Sequence, residues 1–202
     1  MGHGHKNYSN GGLQSHQRKH GNGGGCNTSV VSEALQKKPI DAVRLREAIS
    51  SCKQLNSLEG VIGKTFGKTL TAMERFFEAT PRERLDWAIV VAAYLRVLNL
   101  KTNQVRKVLD LSRDIYFDFE FRGDHSSEER IQSKLMRMRF LLAYSVGKAD
   151  RRDVKALEAL HKALDPILLK VSASPTRENF EAVYDFIQAV IAYHRFLGGR
   201  EK

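Results

Sequence analysis

Basic side chains are the most prominent chemical feature of this 202-residue sequence. Lysine and arginine together number 33 against 23 acidic residues, which gives a formal net charge of +10 at pH 7. This imbalance favours a polyanionic partner, either a nucleic acid or an anionic membrane surface, and carries no information about the fold. The densest basic stretch, Lys134 to Arg152, holds six basic residues and one acid. The first chemistry that the residues indicate is therefore ion pairing with phosphates.

Side chains that could catalyse a reaction do not occur in a recognisable arrangement. His125, His161 and His194 lie in different segments, each without a carboxylate partner at a spacing typical of an active site. The sequence lacks the His-Asp dipeptide of metal phosphohydrolases. In its folded part, no arginine is followed four to six residues later by a histidine, the pattern of a common class of helical ribonucleases. We therefore predict a protein that is not an enzyme and that needs no cofactor.

Two glycine-lysine segments resemble the end of a phosphate-binding loop. They are Gly63-Lys64-Thr65 and Gly67-Lys68-Thr69. The full motif needs a glycine five positions before the Gly-Lys pair, where this chain has Leu58 and Ile62. No strand is predicted before either segment, so we exclude a nucleotide-binding loop and expect a weakly structured segment around the glycines.

The first 29 residues are rich in glycine, asparagine and histidine and poor in apolar side chains. Such a composition cannot offset the entropy lost on ordering, so we predict a disordered basic tail over residues 1–29. A structural metal site needs ligands at fixed spacing on a rigid framework, which this tail does not offer. We expect its four histidines to be solvated: His3, His5, His16 and His20.

Residues 30–202 have helical periodicity and are predicted to form a single helical-bundle domain. Asp41 can cap a helix from Ala42 to about Leu58. Thr80-Pro81-Arg82-Glu83 is a strong start signal, because threonine caps, proline suits the first helical position and glutamate completes a capping box. The helix that follows, to about Leu98, is apolar on nearly every side and is predicted to be the buried centre of the fold.

A short basic helix is predicted next. Thr102 can cap it, and Lys101, Arg106 and Lys107 face solvent beside its N-terminus, an arrangement that suits a phosphate. The segment from Ile115 to Phe121 then alternates apolar and polar residues, which is a strand period. Because no second strand is evident, we interpret it as an extended connection lying on the helices. An aromatic surface that faces a partner is the alternative.

The Lys134 to Arg152 stretch combines an apolar side with a basic side. Its basic residues lie partly opposite the apolar ones and partly at the C-terminal end, where Gly147 can stop the helix. Two interpretations are open, namely one wall of a groove for a polyanion and an ordinary solvated helix face. Apolar residues recur at steps of three and four, as in a helix buried on one face: Ile131, Leu135, Met138, Leu142 and Val146.

Two further helices complete the predicted fold. Asp150 can cap the first, which Pro166 interrupts, and Ser174-Pro175 begins the last, which ends at Gly198-Gly199. The sum is an all-α fold, a compact bundle of five to seven helices with a disordered Gly/His-rich N-terminal tail.

The number of cysteines and the length of the apolar runs indicate the cellular compartment in which the protein is expected. Cys26 and Cys52 are the only cysteines and indicate no disulfide framework. No apolar run reaches the length of a transmembrane helix, so no membrane association is predicted. We expect a cytoplasmic protein.

Three blocks in the C-terminal half, taken in order, resemble a known family. Leu100 to Lys107 (LKTNQVRK) is similar to a Thr-x-Gln-hydrophobic-Arg-Lys element. Lys134 to Lys148 ends in LAYSVGK, similar to Leu-Ala-Tyr-x-x-Gly-Arg/Lys, and Phe180 to Arg195 ends in AVIAYHR, similar to a closing Ala-Tyr-His-Lys/Arg. The chain thus resembles the small helical subunit of type III-A CRISPR effector complexes, the Csm complex, most strongly over residues 85–197.

This resemblance implies a non-catalytic function in antiviral defence. Small subunits of this family stack head to tail beside the backbone subunits that hold the guide RNA, and together they form a basic channel for target RNA paired with guide RNA. Target cleavage belongs to the backbone subunit and nucleotide cyclisation to the large subunit. Base pairing reads the sequence, so such a subunit needs only to follow a phosphate backbone.

Nine basic residues are the predicted contacts with RNA, and each has an alternative role as a surface charge or an ion-pair partner. Two other functions stay open: a stand-alone helical DNA-binding regulator, which needs base-reading side chains on a recognition helix, and a pure scaffold whose basic groups pair with acidic neighbours. The nine residues are Lys101, Arg106, Lys107, Arg137, Arg139, Lys148, Arg151, Arg152 and Arg195.

Overall fold

The structure, a computed structural model, describes residues 1–2, 26–122 and 128–199, without the side chains of residues 121 and 122. These residues form eight α-helices, two short 3-10 helices and no strand. The prediction of an all-α fold is confirmed, although five to seven helices were expected. Most of the predicted tail lies outside the described residues. The helices are α1 (Thr28–Gln36), α2 (Ala42–Ser50), α3 (Glu59–Ala72), α4 (Pro81–Val97), α5 (Thr102–Arg122), α6 (Glu128–Gly147), α7 (Val154–Ala173) and α8 (Arg177–Phe196).

The predicted helix after Asp41 is two elements rather than one. Asp41 caps α2 as expected, because its carboxylate accepts a hydrogen bond from the Arg44 backbone N–H at 3.1 Å. However, α2 ends at Ser50, and a separate 3-10 helix covers Leu55–Leu58. Leu45 and Ile49 supply the buried contacts of this short helix, whereas Val43 is 60% exposed.

The glycine-containing segment after residue 58 is the regular helix α3, so the prediction of weak structure there is wrong. Gly63 lies so close to α4 that a Cβ atom at this position would be 3.2 Å from Cε2 of Tyr94. Phe66 stacks on the same tyrosine with ring centroids 4.5 Å apart. Packing against α4 therefore outweighs the low helix propensity of glycine. The glycines belong to a helix and not to a phosphate-binding loop.

Helix α4 is the buried centre of the fold, as predicted. Its capping box is complete: the Glu83 backbone N–H donates to Thr80 Oγ1 at 3.3 Å, and the Thr80 backbone N–H donates to Glu83 Oε2 at 2.8 Å. Every residue from Ala88 to Ala93 is buried. A helix that is apolar on all sides requires neighbours on all sides, and α3, α7 and α8 all contact α4.

Helix α5 continues to Arg122 through the segment predicted to be extended. Val108, Ser112 and Ile115 are buried at steps of four and three, which is the period of a helix packed on one side. Phe117 is 46% exposed, and Phe119 packs on Phe180 with ring centroids 5.6 Å apart. The prediction of an extended segment, made from the alternating aromatic residues, is therefore wrong. The segment is helical, and the buried stripe of its helix includes Ser112.

The last three helices start and stop close to their predicted limits. The apolar stripe of α6 is buried as predicted at Ile131, Leu135, Met138 and Leu142. Helix α7 continues through Pro166, so the predicted interruption is absent. The Pro166 side chain is exposed.

Helix α8 is capped by Thr176 instead of Ser174, and Asn179 donates its backbone N–H to Thr176 Oγ1 at 3.2 Å. It ends where Gly198 adopts a φ of 88°, a conformation that favours glycine.

The two cysteines are paired in the structure, which corrects the expectation drawn from their number. Cys26 precedes α1 and Cys52 follows α2, and the two form a disulfide with Cα atoms 4.5 Å apart. The chain reverses between α1 and α2 and so brings together residues 26 positions apart in sequence. Cysteine spacing alone does not predict such a reversal.

Candidate nucleic-acid interface

One end of the bundle brings together residues that are far apart in the sequence. Here α5 and α7 begin and α6 and α8 end, and we call this region the basic end. Thr102 Oγ1 lies 3.4 Å from Nδ1 of His194, which connects α5 to α8. Gln104 Nε2 donates to Asp153 Oδ2 at 3.1 Å, which connects α5 to the residue before α7. These contacts fix the relative positions of three helix termini, those of α5, α7 and α8.

Tight turns position the starts of α5 and α7. Asn99, with a φ of 60°, turns the chain between α4 and α5. Thr102 is only 2% exposed and contacts α8, while the Lys101 backbone N–H donates to Gln104 Oε1 at 3.3 Å. Asp150 Oδ1 accepts hydrogen bonds from the backbone N–H groups of Arg152 and Asp153 and so closes the turn before α7. The prediction that Asp150 caps α7 is wrong, because the N-cap residue is Asp153.

Seven of the nine predicted contact residues belong to segments that meet at the basic end, and all seven side chains are exposed. Five of them form no ion pair with any residue that the structure describes: Lys101, Lys107, Lys148, Arg151 and Arg152. Lys148 Nζ lies 5.9 Å from the ring centroid of Tyr144, which is cation–π distance. The seven residues are Lys101, Arg106, Lys107, Lys148, Arg151, Arg152 and Arg195.

The other two predicted residues lie nearer the middle of α6. Arg137 is exposed and, at the helical rise per residue, lies about 16 Å along the axis from Lys148. Arg139 is partly buried and donates from both Nε and a terminal nitrogen to the two carboxylate oxygens of Asp165 on α7, at 2.7 and 3.1 Å. Hydrogen bonding to Asp165 raises the pKa of Arg139, and the same bond lowers the pKa of Asp165. This guanidinium is occupied within the protein.

An open cleft of about 460 Å³ lies between α5 and α6 at the basic end, with α7 beneath it. We call it the α5–α6 cleft. Its walls are largely apolar, and its polar residues include Gln104, Lys107, Lys148 and two aspartates. No residue pattern predicts this cleft, because a cleft between helices depends on how far the helices diverge. The lining residues are Gln104, Lys107, Val108, Leu111, Met138, Leu141, Leu142, Tyr144, Ser145, Lys148, Ala149, Asp150, Asp153, Leu157 and Leu160.

The outer face of α6 is more aromatic than the sequence analysis expected. Met136, Phe140 and Tyr144 are 51%, 66% and 54% exposed and form a column at four-residue spacing. The Phe140 and Tyr144 rings are stacked with centroids 6.2 Å apart. Two basic residues of the same stretch form ion pairs with neighbouring helices, Lys134 with Asp118 and Arg139 with Asp165. The four-residue spacing of the column is visible in the sequence and could have identified it.

Within the described ranges, no group of three or more histidine, cysteine, aspartate or glutamate side chains could hold a metal ion. His125 lies outside those ranges. A search of the described helices for one long and apolar enough to cross a membrane finds none.

Comparison with known proteins identifies the C-terminal part of the chain. A family model described as Csm2 Type III-A matches residues 78–200. No curated protein matches the chain. The matched range contains all of α4 to α8, and therefore both the basic end and the α5–α6 cleft, whereas α1 to α3 precede it. Because the match extends over more than half of the sequence, the chain belongs to the Csm2 type III-A family and is a small subunit of the type III-A CRISPR effector, the Csm complex.

Proposed function

We propose that this subunit binds target RNA paired with guide RNA through the phosphate backbone, and that the basic end is the binding surface. It acts without catalysis of its own, in the cytoplasm, as part of antiviral defence. Copies stack head to tail and contact the backbone and large subunits of the complex. Family membership supports this assembly, and the exposed column on α6 offers apolar area that a protein subunit can bury.

The observation that carries the proposal is a set of exposed cations at one end of the bundle that form no ion pair with a described acidic residue. Lys101 directly precedes α5, and Lys107 lies on α5. Arg151 and Arg152 belong to the turn before α7. Side chains that already form ion pairs gain little from a phosphate, whereas these four are available to replace counterions. Their chemistry suits phosphates, so the surface follows a backbone without selecting a sequence.

Binding by full-length protein to single-stranded RNA, to duplex RNA and to duplex DNA at several salt concentrations tests this function. We expect binding to RNA with a strong salt dependence. The variant Lys101→Gln/Arg151→Gln/Arg152→Gln should bind more weakly and show a salt slope reduced by about 2, because each phosphate contact with a single strand contributes about 0.7. Sequence-selective binding to duplex DNA would instead identify a regulator.

A matched variant controls for net charge. Lys64, Lys68 and Arg82 are also exposed and without a described ion pair, but they lie on α3 and at the start of α4. Lys64→Gln/Lys68→Gln/Arg82→Gln removes the same charge and should leave the salt slope nearly unchanged. Equal losses in both triple variants would mean that RNA responds to net charge only, and the basic end would not be the binding surface.

A further inference from the structure

The α5–α6 cleft adjoins the cations of the basic end, and we propose that it holds an unpaired nucleobase of the bound RNA. This inference rests on the proposed function, because the phosphates on either side of that base would lie against the same cations. Backbone binding alone needs no cavity. A cleft placed among the cations gives the subunit a second kind of contact with RNA.

The dimensions and walls of the cleft suit a flat heterocycle. Its volume of about 460 Å³ is within the range of pockets that take small organic ligands. Leu111 lies on α5, Leu141 and Tyr144 on α6, and Leu157 beneath them on α7. The half-exposed Tyr144 ring lines the cleft, stacks with Phe140 and lies 5.9 Å from Lys148 Nζ. Single-stranded nucleic acids bind through stacking on such rings beside a basic surface.

The charges at the opening favour a nucleotide over an uncharged ligand. Lys107 on α5 and Lys148, directly after α6, are both exposed and both line the cleft, so a phosphate on either side of the bound base meets an ammonium group. The aspartates of the cleft are engaged within the protein. Asp150 accepts two backbone hydrogen bonds, and Asp153 accepts one from Gln104.

The polar groups of the cleft do not select one base. The Gln104 amide is engaged at both ends, since its oxygen accepts from the Lys101 N–H and its nitrogen donates to Asp153. Ser145 donates its hydroxyl to the Leu141 carbonyl at 2.7 Å. The base is therefore held by shape and stacking, and any of the four fits, as a subunit that serves every guide RNA requires.

Abasic RNA tests the inference directly. Full-length protein is titrated with a fluorescently labelled 12-nucleotide oligouridylate and with a matched strand whose central nucleotides lack their bases. The two strands have equal charge, so phosphate binding treats them alike. We expect the abasic strand to bind roughly tenfold more weakly with the same salt slope, because one stacked base contributes on that scale.

A variant that fills the cleft provides the second measurement. Ser145 lies on the cleft wall, and Ser145→Phe should remove the preference for the base-containing strand while preserving the salt slope. Ser133→Phe places the same ring on the exposed part of α6 away from the cleft and should keep the preference. Ser145→Ala leaves the cleft open and should keep it as well.

Three results would overturn the inference. If wild-type protein binds the two strands with equal affinity and the binding still depends on salt, the cleft holds no base. That result does not contradict the proposed function. Absence of binding to both strands removes both proposals. If Ser145→Phe keeps the base preference but prevents self-association in sedimentation velocity, the cleft receives a protein segment and not a base.

Discussion

His194 is a buried titratable residue in the last turn of α8, directly beneath the basic end. Its side chain is 0% exposed, and its Nε2 atom has no hydrogen-bond partner in the described part of the chain. Burial, and then the positive charge of Arg96, lowers the pKa of His194 to about 4, although a hydrogen bond with the Leu100 backbone opposes this shift. The residue is therefore neutral at physiological pH and acts as part of the core.

The lowered pKa predicts a loss of stability in mild acid. An unfolded chain binds a proton at this histidine near pH 6.5, whereas the folded chain does so only near pH 4. The contribution of neutral His194 to the free energy of unfolding is fully present above pH 6.5. It is lost as the pH falls towards 4, by about 3 kcal/mol in total. Urea unfolding of wild-type protein and of His194→Gln across this pH range measures it.

Comparison of wild-type protein with His194→Gln separates the contribution of His194 to the pH dependence of stability from that of the other titrating groups. The His194→Gln variant should be less stable at neutral pH, because it loses the packed ring, yet its stability should fall less steeply between pH 6.5 and 4. Parallel curves for the two proteins would show that His194 does not control the acid response.

At the scale of elements, α6 has three distinct faces. One packs on the core, one carries the column Met136, Phe140 and Tyr144, and one directs Arg139 towards α7. The bidentate bond between Arg139 and Asp165 joins two long helices at a site where both side chains are about four-fifths buried. An ion pair in such surroundings is less screened by water than a surface pair. We therefore assign Arg139 a structural role.

Substitution of this arginine should reduce stability and not RNA affinity. Arg139→Gln is expected to lower the free energy of unfolding by about 2 kcal/mol, since it leaves the Asp165 carboxylate without its charged donor. Urea unfolding and RNA titration measure the two properties. Arg137→Gln, two residues away and exposed, is the matched control and should leave stability unchanged. A loss of RNA affinity in Arg139→Gln without a loss of stability would show that Arg139 contacts RNA and has no structural role.

Elements with strong local signals were predictable from the sequence, and elements defined by their neighbours were not. The Thr80 capping box and the apolar stripe of α6 are local patterns, and both match the structure. Helix α3 contains three glycines and is stable because Gly63 lets it approach Tyr94. Helix α5 buries Ser112 within its stripe, which a search for apolar periodicity does not detect.

The candidate site shows the same division. Exposure of the basic residues could be predicted from their positions on amphipathic helices, as for Lys101, Lys107 and Lys148. Whether a given cation is free or paired depends on the partner helix, so the Arg139–Asp165 pair could not be predicted. The cleft depends on the spacing of α5 and α6, which no residue pattern within either helix encodes.

At the scale of the whole molecule, the helices outside the family match share their core with the helices inside it. Ile62 and Phe66 of α3 are buried with residues of α4, and buried Asp86 of α4 accepts the Ile40 backbone N–H at 2.8 Å. Lys155 of α7 pairs with Glu59 at the start of α3. A continuous core of this kind predicts that the described helices unfold together.

Truncation of Phe66 tests this cooperativity. Phe66→Ala removes a buried ring stacked on Tyr94 and should lower the free energy of unfolding by about 3–5 kcal/mol. Trp87, the only tryptophan in the sequence, lies on α4 within the matched family range. We expect its fluorescence transition in urea to shift with the circular dichroism transition, in a single step.

The exposed residue Val43 supplies the control. Val43→Ala on α2 removes apolar surface that is already in water and should shift neither transition. If Phe66→Ala shifts the circular dichroism signal but leaves the Trp87 transition in place, α1 to α3 form a separate unit.

The turn after α8 affects how the protein can be labelled. Gly199 packs against His194, with its N–H donating to the His194 carbonyl at 2.8 Å, while Arg96 Nε donates to the Leu197 carbonyl at 3.3 Å. Gly199 therefore lies against His194, whose Nδ1 atom is 3.4 Å from Oγ1 of Thr102, the residue that follows Lys101. A fluorescent protein or affinity tag joined at the C-terminus would be tethered next to the proposed RNA surface and would shield it sterically. A label on α2 or at the start of α4 would leave that surface accessible.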